Sequence, residues 1–296
     1  MDSDHRRSFR HREEEAGGRS MNITRGEITV GRFLIPYRLF GQGSRILVCV
    51  NGAQQTMAAW RPVVNYFSRD YRVLLFDFPG QGRARITSGS SVVELDEQVE
   101  VLHQVLLAQN PLEKSIVAGA SWGGVVVAAF ASRFPHLVDK IILASFGIRV
   151  NEKLVQAIRD GQRLNGTATG EQVAGVIIKY FGQHLNDAFK NKMYDQFKNI
   201  TKEHLDNFRA HGQLLKTTKH INEVVDLRSI KAQTLIINGE MDTVMDRDDI
   251  TLAAAQIANC LVKIVPGVGH FLHNESNKVL SIYRAFLSIP SELQLS

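Results

Sequence analysis

The chain has 296 residues, 44% of them hydrophobic and 22% charged, which is the composition of an ordinary globular protein with a sizeable core. No apolar run reaches the roughly 18 residues of a membrane span, so we expect no transmembrane helix. The formal net charge is +5, but the basic residues are scattered and accompany no recognisable binding motif. This pattern argues against nucleic acid as a partner.

Neither the amino terminus nor the cysteines indicate export or metal binding. Residues 1–20 lack the apolar stretch of a secretory signal and are densely charged, so we predict a disordered tail. Cys49 and Cys260 fall in separate apolar segments. We interpret them as buried thiols in a reducing compartment, which favours a cytoplasmic location. Without HExxH, CxxC or clustered carboxylates, the sequence predicts no metal site and no cofactor.

From residue 26 onward, short apolar runs alternate with longer amphipathic stretches, which is typical of a doubly wound α/β sheet with helices on both faces. Pro36 predicts that its strand is antiparallel or at an edge. The predicted strands are Glu27–Val30, Phe33–Phe40, Ile46–Val50, Arg72–Phe76, Ser115–Ala118, Lys140–Ser145, Thr234–Asn238 and Leu261–Val265. The predicted core helices are Met57–Phe67, Val92–Ala108, Trp122–Arg133, Asp248–Ala258 and Asn274–Leu287.

Residues 149–230 interrupt this alternation, because they contain no convincing β-run. Such a stretch is far too long for a plain loop, so we predict a helical cap over residues 148–231, inserted into an α/β core of residues 21–147 and 232–296. Between Arg149 and Lys231 there are 14 basic and 9 acidic residues, which fits an acidic partner or simply a solvated helical surface. The predicted cap helices are Lys153–Gln162, Glu171–Phe181, Asp187–Lys198 and Lys202–Lys216.

The motif G-x-S-x-G occupies Gly119–Gly123, between a predicted buried strand and a predicted helix. In that context the turn holds Ser121 in a strained conformation, and the small flanking residues let strand and helix approach closely. The serine hydroxyl is then exposed at a helix amino terminus, where the dipole favours an oxyanion. The motif alone is common by chance, but this setting predicts that Ser121 is a nucleophile.

A serine nucleophile needs a general base, and His270 is the histidine that fits the role best. It follows the last predicted strand, Leu261–Val265, at the carboxyl edge of the sheet, where the sites of open α/β folds gather. The other nine histidines lie in the tail, on or beside predicted helices, or in the predicted cap. His273, for example, falls at the start of the final helix.

The acid that orients the base is expected between serine and histidine in the chain. Asp242 lies in the short loop that follows the predicted strand Thr234–Asn238, at a matching edge of the sheet, so we choose it as the acid. Glu240 competes with it but follows the strand by only two residues. Three further competitors are interpreted as the first turn of the next helix, where acidic side chains complement the dipole: Asp246, Asp248 and Asp249.

An acyl-transfer site also needs donors for the oxyanion. One is the backbone N–H of Trp122, the residue after the predicted nucleophile. For the other, in the loop after Ile46–Val50, we choose the N–H of Ala53, with that of Gln54 as the alternative. The glycine-containing loop Asp77–Gly82 lacks the Lys-Ser/Thr pair of a phosphate-binding loop, and we interpret it as a tight structural turn.

With these residues in place, the chain resembles the α/β-hydrolase superfamily over about residues 26–290. Within it, the chain is similar to the bacterial 3-hydroxyacyl acyltransferases. That group includes the synthase of the hydroxyalkanoyloxy-alkanoate lipid of rhamnolipids and the 3-hydroxyacyl-ACP:CoA transacylase-like enzymes. The similarity rests on Val50–Ala53, Leu75–Pro79, Ala120–Gly124, Lys179–Phe181, Ile237–Gly239 and Gly269–Leu272.

This resemblance implies an α/β-hydrolase fold and attack of Ser121 on a 3-hydroxyacyl thioester. The acyl-enzyme is then resolved by the hydroxyl of another hydroxyacyl chain. The excess of basic residues between Arg149 and Lys231 would suit docking of an acidic acyl carrier protein. Two other interpretations stay open: a serine hydrolase of esters, lactones or thioesters, and a non-catalytic binding protein. The intact set of Ser121, Asp242 and His270 argues against the last.

Overall fold

The computed structural model describes residues 22–110, 113–164, 168–217 and 220–290, so the predicted tail, residues 1–20, lies outside the described residues. Its strands are β1 (Ile23–Val30), β2 (Phe33–Phe40), β3 (Ile46–Val50), β4 (Arg72–Phe76), β5 (Arg85–Ile86), β6 (Ser115–Ala120), β7 (Val138–Ala144), β8 (Gln233–Gly239) and β9 (Cys260–Val265). Its α-helices are α1 (Arg61–Phe67), α2 (Leu95–Gln109), α3 (Trp122–Arg133), α4 (Glu152–Arg163), α5 (Gly170–Tyr180), α6 (Asp187–Phe197), α7 (Lys202–Thr217), α8 (Arg247–Ala254), α9 (Leu272–Glu275) and α10 (Asn277–Leu287).

These strands form one sheet in the order β1-β2-β4-β3-β6-β7-β8-β9, with β5 paired to β2. The pairs from β4 to β9 are parallel, and the pairs that involve β2 are antiparallel. The mostly parallel sheet expected from the sequence is therefore confirmed, as is the antiparallel setting of the strand that contains Pro36. The parallel strands all end at one edge, where the loops after β3, β6, β7 and β8 lie side by side.

Alternate side chains of the central strand β3 enter two cores, one on each face of the sheet. Val48 and Val50 pack in the core that contains buried residues of α2, α3 and α8. Leu47 and Cys49 pack in the core that contains α1 and α10. Helices therefore cover both faces, and the fully buried pattern of β3 follows from that cover. Cys260 is only half-buried, contrary to the prediction, because it begins the edge strand β9.

Some boundaries differ from the predictions for reasons that lie outside the local sequence. β1 begins at Ile23 and not at Glu27, because it pairs with β2 along its whole length, with Ile23 opposite Phe40. The predicted final helix is divided into α9 and α10 at Ser276, whose backbone is extended at φ −149° and ψ 128°. The Ser276 hydroxyl then caps α10 by accepting a bond from the Lys278 N–H. The short strand β5 was not predicted.

The α-helices described between β7 and β8 are α4 to α7, and we call them the helical insertion. Three of them begin at a residue whose side chain accepts a bond from a backbone N–H of the first turn: Asn151, Thr169 and Asn186. The insertion has a small core of its own, formed by Val173, Ala174, Phe197 and Leu205. The division of the chain into core and cap at residues 148 and 231 stays a prediction.

Candidate active site

Ser121 lies at the turn between β6 and α3, with a positive φ of 53° and a ψ of −122°. Non-glycine residues rarely adopt this conformation, and it persists only where the surroundings hold it. Here the Ser121 N–H donates to the Ala144 carbonyl at 2.7 Å, and the Gly124 N–H donates to the Ser121 carbonyl at 2.8 Å. The backbone on both sides of the serine is thus fixed, and its side chain lies at the amino terminus of α3.

The two glycines of the motif are required because backbone atoms approach them closely. A Cβ on Gly123 would lie 2.4 Å from the carbonyl oxygen of Val50. A Cβ on Gly119 would lie 2.3 Å from the carbonyl oxygen of Gly123. Both distances are far below any normal contact, so the strand, the turn and the helix can pack this tightly only with glycine at these positions.

Asp242 and His270 meet at the carboxyl edge of the sheet, where they follow β8 and β9. Oδ2 of Asp242 lies 2.7 Å from Nδ1 of His270, and both side chains are buried. The other carboxylate oxygen of Asp242 accepts a bond from the Val244 N–H at 3.0 Å. With both oxygens engaged, the carboxylate has a fixed orientation and holds the imidazole through Nδ1. Nε2 of His270 has no hydrogen-bond partner within the described parts of the chain.

The other acidic residues near Asp242 have different partners. Asp246 precedes α8 and accepts a bond from the Asn151 side chain at 3.0 Å. Asp248 and Asp249 lie in the first turn of α8, as predicted, and Asp249 is buried in an ion pair with Arg149. Glu240 accepts a bond from the Gly267 N–H at 3.2 Å. Among the described residues, none of these carboxylates contacts His270.

Ser145 is a part of the site that sequence reasoning missed. Its hydroxyl donates to the His270 carbonyl at 2.6 Å, and its N–H donates to the Ile237 carbonyl at 2.9 Å. It directly follows β7 and has a positive φ of 51°. Its two hydrogen bonds connect the loop that contains His270 to the end of β8. A polar residue directly after a buried strand was the signal that could have identified it.

The loop after β3 is held by Asp77, which lies at the end of β4. Its carboxylate accepts bonds from the Met57 N–H at 2.8 Å, the Arg83 N–H at 3.1 Å and the Asn51 side chain at 3.4 Å. Burial raises the pKa of this carboxyl, and these three donors partly oppose the shift. The Asp77–Gly82 segment is thus the structural turn that was predicted, and it also buttresses the loop that contains Ala53.

Backbone donors face the same region as Ser121. Within the described parts of the chain, the N–H groups of Ala53, Gln54 and Trp122 have no hydrogen-bond acceptor. Ala53, Gln54 and Trp122 all line the cavity that also contains Ser121. Gln54 has a positive φ of 60°, which turns the loop sharply at this point. The N–H groups of Ala53 and Gln54, in the loop after β3, are therefore both available to bind an oxyanion together with the N–H of Trp122.

A cavity of about 140 Å³ separates the sheet edge from the helical insertion. Ser121 and His270 line it together, and most of the remaining wall is apolar. The apolar side chains come from both the core and the insertion: Val125, Phe146, Val150, Leu154, Ile158, Val176, Ile177, Phe181, Phe208, Leu215, Ile221, Met245 and Phe271. The arrangement combines a strained serine, an oriented histidine and free N–H donors at one end of an apolar chamber.

A second cavity, of about 690 Å³, adjoins the first and shares the wall formed by Ala53–Gln55, Ile177 and Phe271. Its lining is more polar and includes two cationic side chains, Arg61 and Lys192. The amide and hydroxyl side chains that line it are Gln54, Gln55, Thr56, Asn65, Tyr66, Gln196, Asn274, Asn277 and Ser281. The two cavities thus offer a largely apolar and a more polar environment, and both border the loop after β3.

Neither a metal cluster nor a membrane span is found in the described residues. They contain no group of three or more His, Cys, Asp or Glu side chains arranged to hold a metal ion. Across the same ranges, no helix is both long and apolar enough to cross a membrane.

The comparison with known proteins agrees with this architecture. A family model of the alpha/beta hydrolase fold matches residues 45–276. The chain belongs to the α/β-hydrolase fold family. The crystal structure of MGS-M2, an alpha/beta hydrolase enzyme from a Medee basin deep-sea metagenome library, has a TM-score of 0.78 to this chain at 20% identity, covering 90% of this chain and 98% of the other.

Among curated relatives, this family member is 22% identical over 240 residues to an (R)-3-hydroxydecanoyl-ACP:CoA transacylase of Pseudomonas putida, a match that covers 78% of this chain and 77% of the relative. It is 25% identical over 242 residues to the monoacylglycerol lipase ABHD6 of Homo sapiens, covering 76% of this chain and 69% of that one. The resemblance to the 3-hydroxyacyl transacylase group, first seen in short motifs, is thereby confirmed. The relatives include both an acyltransferase and a lipase.

Proposed function

We propose that this α/β-hydrolase family member transfers acyl groups from medium-chain 3-hydroxyacyl thioesters, such as 3-hydroxyacyl-ACP, through an acyl-enzyme at Ser121. The observation that carries the proposal is the largely apolar cavity that Ser121 and His270 both line, with Nδ1 of His270 held by Asp242 at 2.7 Å. In this assignment Ser121, His270 and Asp242 are the catalytic triad.

In the first half-reaction, Oγ of Ser121 attacks the thioester carbonyl while Nε2 of His270 takes the hydroxyl proton. The carbonyl oxygen becomes an oxyanion, which accepts bonds from the N–H groups of Trp122 and Ala53. The C–S bond then breaks, and the imidazolium returns its proton to the departing thiolate. Asp242 stabilises the imidazolium through Nδ1 and keeps the ring in the tautomer that leaves Nε2 free.

In the second half-reaction, a hydroxyl group attacks the acyl-enzyme carbonyl. His270 removes the proton of that hydroxyl, and after collapse of the tetrahedral intermediate it gives a proton back to Oγ of Ser121. With the hydroxyl of a second 3-hydroxyacyl chain as acceptor, the product is a dimeric hydroxyacyl ester. With water, the product is a free acid, and with the thiol of coenzyme A as the acceptor in the same steps, the product is the acyl-CoA. The triad serves both routes equally, so the acceptor decides the outcome.

Three observations support a thioester with a medium-length acyl chain. A relative that covers most of the chain is named as an (R)-3-hydroxydecanoyl-ACP:CoA transacylase. The first cavity offers an apolar wall for an acyl chain. The second cavity offers amide side chains and two cations, Arg61 and Lys192, which suit the amide-rich, phosphate-bearing arm that carries thioesters in acyl carrier protein and coenzyme A. The residues 148–231 act as the cap in this proposal.

The alternative is a serine hydrolase of a lipid or small ester, lactone or thioester. The similarity to a monoacylglycerol lipase favours it, because that relative covers nearly as much of the chain as the transacylase does. The two functions share every step up to the acyl-enzyme. They differ in whether water or a substrate hydroxyl attacks the acyl-enzyme on Ser121 first. That depends on the shape of the cavity and on how far it excludes water.

One experiment separates these functions. The purified protein is incubated with 3-hydroxydecanoyl-ACP, with and without coenzyme A, and products are identified by mass spectrometry. Transfer yields the dimeric hydroxyacyl ester or the acyl-CoA, and hydrolysis yields only 3-hydroxydecanoate. A fluorophosphonate ester, which labels activated serines, should modify the wild type and not Ser121→Ala. A Ser121→Ala variant with full turnover would exclude the proposed nucleophile.

A further inference from the structure

His211 lines the site cavity, and one of its ring nitrogens has no hydrogen-bond partner among the described residues. Nε2 of His211 is buried and makes no hydrogen bond in the described part of the chain. Buried polar atoms in folded proteins nearly always have a partner, so an orphaned one calls for an explanation. Five other side-chain atoms share this state among the described residues, but His211 is the one of these six residues that lines the cavity.

His211 lies on α7 of the helical insertion and packs edge-on against the indole of Trp122, with ring centroids 5.0 Å apart and planes at 86°. Trp122 directly follows Ser121, and its own Nε1–H is already engaged with Oε1 of Gln98 at 2.8 Å. The histidine ring therefore lies close to the reacting end of the cavity, and the neighbouring indole has no free donor to offer it.

Most other polar side chains of this cavity already have partners. Arg149 pairs with the Asp249 carboxylate, and Arg209 donates to the Leu164 carbonyl. Gln162 donates to the Gln213 side chain at 3.2 Å. The remaining partners are intramolecular as well: Ser145 to the His270 carbonyl and Gln55 to the Gly52 N–H. Among the described residues, the exceptions besides His211 are Ser121 itself and the half-buried Gln54, which also borders the second cavity.

We infer that His211 forms a hydroxyl-binding subsite, in which its imidazole hydrogen-bonds the 3-hydroxyl group of the acyl substrate. This inference rests on the proposed acyl transfer at Ser121. The 3-hydroxyl lies two carbons beyond the carbonyl that Ser121 attacks. A hydrogen-bond partner for it must therefore lie close to Ser121, and His211 contacts Trp122, the residue that follows Ser121. An acyl chain without the hydroxyl leaves the imidazole of His211 unpaired. The subsite therefore selects hydroxylated acyl chains over unsubstituted ones.

The protonation state of His211 suits this role. Burial lowers its pKa to about 4, so the ring is neutral at physiological pH. A neutral imidazole has one donor and one acceptor nitrogen, and either can engage a hydroxyl, which is itself both donor and acceptor. A charged ring in this apolar wall would need a counter-ion, which the substrate hydroxyl is not.

The test compares 3-hydroxydecanoyl and decanoyl thioesters on the wild type, on His211→Phe and on His204→Phe. His211→Phe retains the ring volume and loses both nitrogens. His204 lies on the same helix, is bonded to Thr201 and does not line the cavity, so His204→Phe is the matched control. We expect the wild type and the control to prefer the hydroxylated thioester by about tenfold in kcat/KM. His211→Phe should lose that preference through slower reaction of the hydroxylated substrate alone.

Binding provides a second readout that does not require turnover. In a Ser121→Ala background, the Kd of 3-hydroxydecanoate should be lower than that of decanoate, and adding His211→Phe should make the two equal. If His211→Phe does not fold, His211→Gln, which keeps a polar end, should retain part of the preference. Equal preference in wild type and His211→Phe would overturn the subsite. Absence of thioester turnover together with selective binding by His211 would overturn the acyl-transfer proposal and leave the subsite standing.

Discussion

The carboxylate of Asp242 lies 2.7 Å from Nδ1 of His270, and both side chains are buried where two neighbouring strands end. A carboxylate in this position orients the imidazole and stabilises its cation. We expect Asp242→Asn to lower kcat by about 10²- to 10⁴-fold with little change in KM, because the amide can hold the ring in the wrong tautomer. Steady-state kinetics with a chromogenic ester or a thioester would measure the change.

Asp248→Asn is the control for this substitution. Asp248 is an exposed residue in the first turn of α8, six positions further along the chain, and it has no contact with His270. Its substitution should leave kcat within about twofold. A similar loss in both variants would mean that the charge of this region, and not the contact with His270, supports turnover.

The contact between Asp242 and His270 could be predicted from the sequence because strand ends and chain order limit the choice of partner. Asp242 and His270 each follow a β-run, and parallel strands bring such positions to the same sheet edge. Ser145 was missed because its role depends on a bond to the carbonyl of His270, 125 residues away, and no local pattern records such a contact. The same holds for His211, which lines the cavity beside Trp122 through the tertiary packing of α7.

The turn around Ser121 should be sensitive to a single methyl group at Gly123. Gly123→Ala brings a Cβ to 2.4 Å from the Val50 carbonyl oxygen and 2.5 Å from that of Asn51, and neither backbone atom can move without displacing the loop after β3. We expect a loss of about 1–3 kcal/mol or more in the free energy of unfolding, together with a loss of activity. Urea denaturation and ester hydrolysis would measure the two effects.

The neighbouring residue Gly124 is the matched control. A Cβ there would lie 3.2 Å from Cδ2 of Phe146, which is a side-chain atom that can shift by a few tenths of an ångström. Both glycines lie in the first turn of α3, so helix propensity changes equally in the two variants. A Gly124→Ala variant as unstable as Gly123→Ala would show that the close approach to Val50 is not the cause.

Stability should depend on pH through a buried histidine outside the cavity. His273 is stacked on Trp60 at 4.5 Å between ring centroids, and burial lowers its pKa to about 4 from 6.5. Between these values the unfolded chain binds a proton that the folded chain does not, so stability is complete above pH 6.5 and is lost as the pH falls towards 4. The full difference corresponds to about 3 kcal/mol.

His273→Phe keeps an aromatic ring against Trp60 and removes this titration. Chemical denaturation at several pH values between 7 and 4 should show a shallower decline in the free energy of unfolding for the variant than for the wild type. Part of the decline should persist, because burial lowers the pKa of His211 to about 4 as well. Parallel curves for the two proteins would contradict the assignment of this pH dependence to His273.

The polar cavity beside the site should recognise the carrier arm of the thioester through its cations. Lys192 lines that cavity together with Arg61, and a reversed charge there should repel a phosphate. We expect Lys192→Glu to raise KM about three- to tenfold for acyl-ACP and acyl-CoA, and to leave the N-acetylcysteamine thioester, which lacks the phosphate, unchanged. A rise for acyl-ACP but not for acyl-CoA would indicate docking of the carrier protein surface instead.

Lys190→Glu is the control, since Lys190 lies on the same helix, α6, and does not line the cavity. It makes the same change in net charge, so any general attraction of the basic insertion for an acidic carrier protein would appear in both variants. Equal effects of the two reversals on acyl-CoA would exclude a specific phosphate contact at Lys192.

The helical insertion was predicted as a set of helices, but the sequence does not decide which of its apolar residues form the cavity wall and which pack between helices. The periodicity of the sequence predicted the extents of α4 to α7 within one or two residues, and polar caps such as Asn151 and Thr169 fix where they begin. Which apolar residues face the core of the insertion and which face the substrate is decided by tertiary packing. Val173 lies in the insertion core, whereas Val176, one turn later on α5, lines the cavity.

That wall offers a direct test of chain-length selection at Gly212 on α7, which lines the cavity. A Cβ there would have its nearest neighbours, Gln162 and Ile158, at 3.8 Å, so a side chain fits the helix and extends into the chamber. Gly212→Leu should therefore shorten the preferred acyl chain and lower kcat/KM for decanoyl relative to butanoyl thioesters by about tenfold or more. Stability should not fall, since leucine is a better helix former than glycine.

Gly175→Leu is the companion variant. Gly175 lies on α5, where a Cβ would have no neighbour within 4 Å among the described residues beyond its own helix backbone and chain neighbours. It does not line the cavity, so leucine there adds the same side chain to the same insertion without occupying substrate space. Its ratio of decanoyl to butanoyl turnover should match that of the wild type. If both variants shift the ratio alike, the selection of chain length reflects movement of the insertion as a whole. If neither shifts it, the acyl chain does not enter the chamber bordered by Gly212.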